Sequence, residues 1–261
     1  MDPTTLHWAS RRYLTTRYGG LLSAYGRLPN SGRQANGYDY TTEAKRIFPR
    51  YNVVDAMLME VERPDPDRLP AVDVVAGLLV AAAERAHSPF TKPPYDEVEA
   101  QAVADERRRF AAKVRQWSAQ PDFRAGPVPY RRVLTPEESS AWRTSLQRRW
   151  GVQQGLWYPL LSGPVPHGVL VLTGASMWED DGVEAVRRVL RALGRPRVVE
   201  LREDGVAYLL DVEIVAPRYT TLEGFWTDEQ HDWIAYASHE GTVAFGGVLS
   251  TALAATCVRS Q

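Results

Sequence analysis

The spacing of apolar residues changes near residue 150, and this change constrains the fold more than any other feature of the chain. Before it, Val103, Phe110 and Val114 recur at intervals of seven and four residues, which places them on one face of an α-helix. After it, short apolar runs such as Val169–Leu172 are typical of buried β-strands. The sequence therefore predicts an α+β fold, in which a helical N-terminal half packs with a C-terminal mixed sheet of about five strands and two helices.

Local start and stop signals refine the helical half. Thr135 and Glu138 have the spacing of a capping box, in which each side chain bonds the backbone of the other residue, and Gly151 is suited to end the helix that follows. The adjacent Gly19 and Gly20 have a low helix propensity. We therefore expect the first helical stretch to break at this glycine pair.

The chain divides by pattern and charge into residues 1–150, mainly helical, and residues 151–261, an α/β region. The second region is predicted to contain a strand–helix–strand unit and a C-terminal hairpin with its turn at Gly241. Residues 1–150 carry 23 basic and 18 acidic side chains, whereas residues 151–261 carry 8 basic and 14 acidic ones. These opposite charges favour docking into one compact domain, and two separate domains are the alternative.

The composition argues against several classes of protein. A net charge of −1 disfavours nucleic-acid binding. The most apolar stretch, Ala71–Ala83, is shorter than the roughly 20 residues of a membrane span. The N-terminus also lacks the apolar run of a secretory signal, so a cytoplasmic protein is predicted. The preference for arginine over lysine, together with many alanines, favours a GC-rich bacterial genome as its source.

The histidines near the C-terminus, His231 and His239, raise the question of a metal site. They are separated by eight residues, which span about 26 Å in a strand and about 12 Å in a helix. Zinc holds imidazole nitrogens at roughly 2 Å, so these two rings cannot share one ion within a regular element. No metal is predicted.

Carboxylates near the predicted strands offer a catalytic alternative. Asp211 and Glu213 are expected to share a strand face, and Glu200 lies on the preceding strand. Together with His239 they would form the acid–base or Mg²⁺ site of a hydrolase or metal-dependent nuclease. Val215 stands where such a nuclease would place a lysine, and solvent-facing strand charges are the simpler interpretation. Glycine-rich nucleotide motifs are absent, and no cofactor is predicted.

The segment from Leu222 to Trp233 combines aromatic and acidic residues, which is typical of a surface that faces a basic protein partner. This favours a protein-binding module of the immunity or antitoxin-like inhibitor type. The alternatives are a local core with an acidic rim, and a structural subunit of a larger assembly. The predicted binding residues are Glu223, Phe225, Trp226, Asp228, Glu229, Asp232 and Trp233.

Overall fold

A computed structural model of the chain describes residues 1–91, 96–153, 156–157, 165 and 167–258, with the backbone alone for 256–258. The described chain forms two compact units, Met1–Val128 and Pro129–Gln261. The first is helical and the second is built around a sheet, which confirms the predicted α+β class. Within the described residues, none of the helices combines the length and apolar character that crossing a bilayer requires.

The first unit consists of four α-helices connected by short 3₁₀ turns. Its core is apolar and is drawn from all four helices, with Leu14, Met57, Leu79 and Phe110 among its members. The helices are α1 (Pro3–Gly26), α2 (Thr42–Val61), α3 (Val72–Arg85) and α4 (Glu97–Ser118), and the 3₁₀ turns are Pro29–Gly32, Pro66–Arg68 and Pro89–Thr91.

The helix α1 runs through the glycine pair at which a break was expected. Asp2 caps its first turn by accepting hydrogen bonds from two backbone N–H groups. Leu14 and Leu21 are buried on either side of Gly19 and Gly20, so packing anchors both parts of the helix. Each glycine costs about 1 kcal/mol relative to alanine, which this packing outweighs. The predicted break is therefore wrong.

Replacing Gly19 with alanine should stabilise the protein. A Cβ atom at this position meets nothing within 4 Å, and the substitution removes the helix penalty of about 0.5–1 kcal/mol. Gly37→Ala is the matched control, because Gly37 has a φ of +73°, which alanine adopts only with strain. Urea unfolding followed by circular dichroism should show a higher midpoint for Gly19→Ala and a lower one for Gly37→Ala. Equal shifts would contradict the assignment of Gly19 to a relaxed helix interior.

A buried histidine of α1 bonds the end of α2. His7 is 1% exposed, and its Nε2 lies 2.9 Å from the carbonyl oxygen of Val61. Burial lowers the pKa of His7 to about 4, because the surrounding apolar groups disfavour the charged imidazolium. The folded unit therefore requires a neutral imidazole.

Acid should weaken the fold through His7. Above pH 6.5 both the folded and unfolded states hold a neutral ring, and between pH 6.5 and 4 only the unfolded state takes up the proton. The free energy of unfolding should therefore fall by up to about 3 kcal/mol across that window. Urea unfolding at pH 7 and pH 4.5 measures this fall in the free energy of unfolding. The variant His7→Gln should lose less free energy of unfolding between the two pH values than the wild type does. The same substitution at the exposed His87 is the control and should leave the free energy of unfolding at pH 7 within about 0.5 kcal/mol of the wild type.

The second unit contains a seven-stranded sheet in the order β1-β4-β3-β5-β6-β7-β2. Every neighbouring pair in the described sheet is antiparallel, so the sheet is not mixed and has two strands more than predicted. The strands are β1 (Arg131–Val133), β2 (Val169–Thr173), β3 (Arg197–Arg202), β4 (Tyr208–Asp211), β5 (Gly224–Thr227), β6 (Trp233–Ala237) and β7 (Thr242–Gly247).

Helices cover both faces of this sheet. α6 (Asp180–Ala192) and α7 (Val248–Val258) pack on the face that carries Trp226 and Trp233. α5 (Pro136–Trp150) contributes Leu146 to the opposite core, beside Phe225 and Tyr236. The predicted capping box opens α5 and Gly151, with a φ of +69°, ends it. Because both faces are covered, every residue of β5 and β6 is buried.

The strand–helix–strand unit is formed by β2, α6 and β3. Four antiparallel steps separate β2 from β3 in the sheet, so these two strands run parallel to each other. Three other strands, β5, β6 and β7, lie between them. The helix α6 therefore spans the central strands, and its residues Val186 and Leu190 lie in the same core as Trp226.

Candidate functional site

The aromatic residues of the predicted binding segment lie in the core of the second unit. Trp226 and Trp233 are fully buried and Phe225 is 1% exposed. Because alternate side chains of a strand point to opposite faces, and helices cover both faces, the rings enter two different cores. This burial corrects the expectation of an exposed aromatic surface.

The acids of the same segment are mostly partners of buried donors. Asp228 is 2% exposed and accepts a hydrogen bond of 2.6 Å from the indole N–H of Trp233. Arg195 lies 3.5 Å from Asp228 and donates to Asp232 at 2.7 Å. Glu229 is the exposed acid of this group. From the sequence these acids were expected to form the rim of a binding surface. In the structure Asp228 and Asp232 both pair with Arg195, and Asp228 also binds the indole of Trp233.

Neutralising Asp228 should cost far more stability than neutralising Glu229. In Asp228→Asn the partly buried guanidinium of Arg195 loses one of its two carboxylates and the indole of Trp233 loses a charged acceptor, so we expect the free energy of unfolding to fall by about 2 kcal/mol. Glu229→Gln changes an exposed side chain and should stay within about 0.5 kcal/mol of the wild type. Urea unfolding followed by tryptophan fluorescence separates the two variants. A loss at Glu229 as large as that at Asp228 would argue that Glu229 has a structural partner.

The four residues of the catalytic alternative each have a different partner. Glu200 accepts hydrogen bonds of 2.9 Å from the indole of Trp226 and of 2.9 Å from Arg202. Asp211 accepts a 3.2 Å hydrogen bond from the backbone N–H of Glu213. Within the described residues, no group of three or more histidine, cysteine, aspartate or glutamate side chains is placed to hold a metal ion.

Glu213 lies outside the strand on which it was expected. β4 ends at Asp211, and Glu213 belongs to the 3₁₀ turn Val212–Ile214, so Asp211 and Glu213 do not share a strand face. The carboxylate of Glu213 instead lies 2.9 Å from Arg191 of α6. The fourth residue, His239, is in the β6–β7 turn and bonds Glu223, which had been placed in the binding segment.

Glu223, which directly precedes β5, is the centre of a polar cluster beside the β6–β7 hairpin. Its buried carboxylate accepts hydrogen bonds from the hydroxyl of Tyr236, the ring of His239 at Nδ1, the hydroxyl of Ser238 at 3.3 Å and the His239 backbone N–H at 3.3 Å. Gly224 pairs with Ala237 in the sheet, which brings Glu223 opposite Ser238. The sequence contains all members of the cluster, but only the pairing of β5 with β6 shows that they lie together.

The cluster shifts the protonation of two of its members. Burial first, and then the hydrogen bond to Glu223, raise the pKa of Tyr236, so its hydroxyl remains a donor. The hydrogen bond from His239 to Glu223 raises the pKa of His239. The Nε2 atom of His239 lies 3.1 Å from Glu240. In acid–base sites a carboxylate orients one ring nitrogen of a histidine and leaves the other free to act. Here both ring nitrogens contact carboxylates, so the arrangement holds the β6–β7 turn in place.

The helical unit contains a separate groove of about 480 Å³. One wall is a face of α1, and the other is formed by the end of α4 and the loop that follows it. Trp117 stacks on Phe123 at a centroid distance of 5.7 Å and meets the ring of Tyr13 edge-on at 5.8 Å. The apolar and small residues that line the groove are Ala9, Tyr13, Gly20, Trp117, Phe123 and Ala125.

The charged residues of the groove are all arginines. Arg12, Arg17 and Arg124 line it, and none of its described lining residues is acidic. Arg17 is fixed by Glu106, which accepts hydrogen bonds of 3.1 and 2.6 Å from it and also pairs with Arg50. Burial would raise the pKa of Glu106, but the hydrogen bonds from the two arginines outweigh burial and lower it. The groove is therefore held rigidly on one side and carries positive charge.

This groove was not predicted from the sequence, because its walls come from distant parts of the chain. The spacing of Ala9, Tyr13, Thr16 and Gly20 at three- and four-residue intervals places them on one face of α1. The position of Phe123 over Trp117, however, depends on how the chain turns after α4. A comparison of the chain with protein families, curated proteins and solved structures found no match.

Proposed function

We propose that the protein is a protein-binding module, and that its groove in the helical unit receives an apolar side chain from a segment of a partner protein. The observation that carries this proposal is the set of three partly exposed rings, Tyr13, Trp117 and Phe123, which line both sides of the concave groove. Inhibitors of the immunity or antitoxin-like type, which act by occupying a surface of their partner, are members of this class.

The dimensions of the groove suit a short peptide segment. From Ala9 to Gly20, α1 rises by about 16 Å, the length of roughly five residues of extended chain. A volume of about 480 Å³ is also within the range of sites that enclose a ligand group. Tyrosine, tryptophan and arginine, which together line this groove, are the residue types that dominate binding energy at protein interfaces.

Filling the groove should abolish binding. Thr16 is exposed, lines the groove and belongs to the helix α1, so Thr16→Trp places a large ring in the groove without changing its charge. Ser23→Trp is the matched control, because Ser23 is exposed on the same helix outside the groove lining.

The measurement is binding to an array of ten-residue peptides of varied sequence, with circular dichroism to verify the folding of both variants. The wild-type protein and Ser23→Trp should bind a common set of peptides that contain an aromatic or large aliphatic residue. Thr16→Trp should bind this set at least about tenfold more weakly. Unchanged binding by Thr16→Trp, or no peptide bound by the wild-type protein, would refute the proposed function.

A further inference from the structure

We infer that the segment bound in the groove is acidic, and that Arg124 is the residue that recognises its carboxylate; this inference rests on the proposed function. The charge of the groove favours an acidic ligand. Three guanidinium groups line it and no carboxylate does so among the described residues. A basic segment would bring like charges together, whereas an aspartate or glutamate would be attracted to this surface.

The three arginines differ in how many hydrogen bonds they already donate to the protein. The guanidinium of Arg12 donates hydrogen bonds of 3.1 Å to each of two backbone carbonyls, those of Gly126 and Pro127. Arg17 is bound in a fork by the buried Glu106 at 3.1 and 2.6 Å. Both groups thus hold the walls of the groove in place, and each already donates two hydrogen bonds to the protein.

Arg124 differs from these two arginines. Its side chain is exposed, and the bond described for its guanidinium is a 3.1 Å hydrogen bond to the carbonyl of the preceding residue, Phe123. Because the side chain is exposed, its other N–H donors are accessible to a ligand, and their planar arrangement matches the two oxygens of a carboxylate. Because Arg124 adjoins Phe123, a segment with a carboxylate next to an aromatic or aliphatic side chain would reach the arginine and the rings together.

The test uses peptide triplets built around the sequences that the wild-type protein binds. In each triplet the residue beside the apolar side chain is aspartate, asparagine or lysine. The wild-type protein should prefer the aspartate peptide over the lysine peptide by about tenfold or more at low salt, and the preference should shrink as salt increases.

Three variants at exposed arginines complete the design. Arg124→Glu should reverse the preference in favour of the lysine peptide, and Arg124→Lys should keep the preference for aspartate at reduced strength. Arg68→Glu is the control, since Arg68 has an 86% exposed side chain and does not line the groove. It should bind the peptides as the wild-type protein does.

The possible failures are distinguishable. If aspartate, asparagine and lysine peptides bind equally and Thr16→Trp weakens all of them, the groove is a binding site and the inference about charge is wrong. If Arg124→Glu keeps the preference for aspartate, Arg124 is not the residue that recognises the carboxylate. If Thr16→Trp changes none of the interactions, the proposed function itself fails.

Discussion

Buried carboxylates have to be paired, and both units of this protein are organised around that constraint. In the helical unit, Glu106 joins α1, α2 and α4 through Arg17 and Arg50. In the second unit, Glu223 fixes the β6–β7 hairpin and Asp228 pairs with a buried indole and an arginine. An ionised carboxylate without such donors would cost several kcal/mol in these positions, so the partners are as much part of the core as the apolar side chains.

The same constraint explains why the acid-rich segment and the groove have different roles. Along residues 222–233 the acids other than the exposed Glu229 are paired with donors from their own unit, and the rings between them fill two cores. Along the groove the exposed charge is positive. Glu106 binds Arg17 and Arg12 holds the loop, whereas the side chain of Arg124 is exposed at the surface. The groove therefore presents positive charge and aromatic surface to a ligand, whereas most acids and the rings of residues 222–233 are engaged inside the second unit.

Local patterns predicted the elements of the fold better than their arrangement. The capping box at Thr135 and the helical spacing before residue 150 identified α5 and the helical half correctly, because both depend on neighbours within one turn. The break at Gly19–Gly20, the mixed sheet and the strand position of Glu213 were wrong. Packing decided the first, because Leu21 anchors α1 beyond its glycines, and strand pairing decided the second. Glu213 lies instead in a 3₁₀ turn that the side chain of Asp211 caps.

The sequence by itself determined the α+β class and the capped start of α5, because periodicity, caps and residue types are local properties. It also named Glu223 and His239 as separate candidates without joining them. Only the tertiary structure decided which side chains share a site. Antiparallel register brings residues 223 and 239 together, and the turn after α4 places Phe123 on Trp117, since such contacts between distant residues arise only when the complete core is packed.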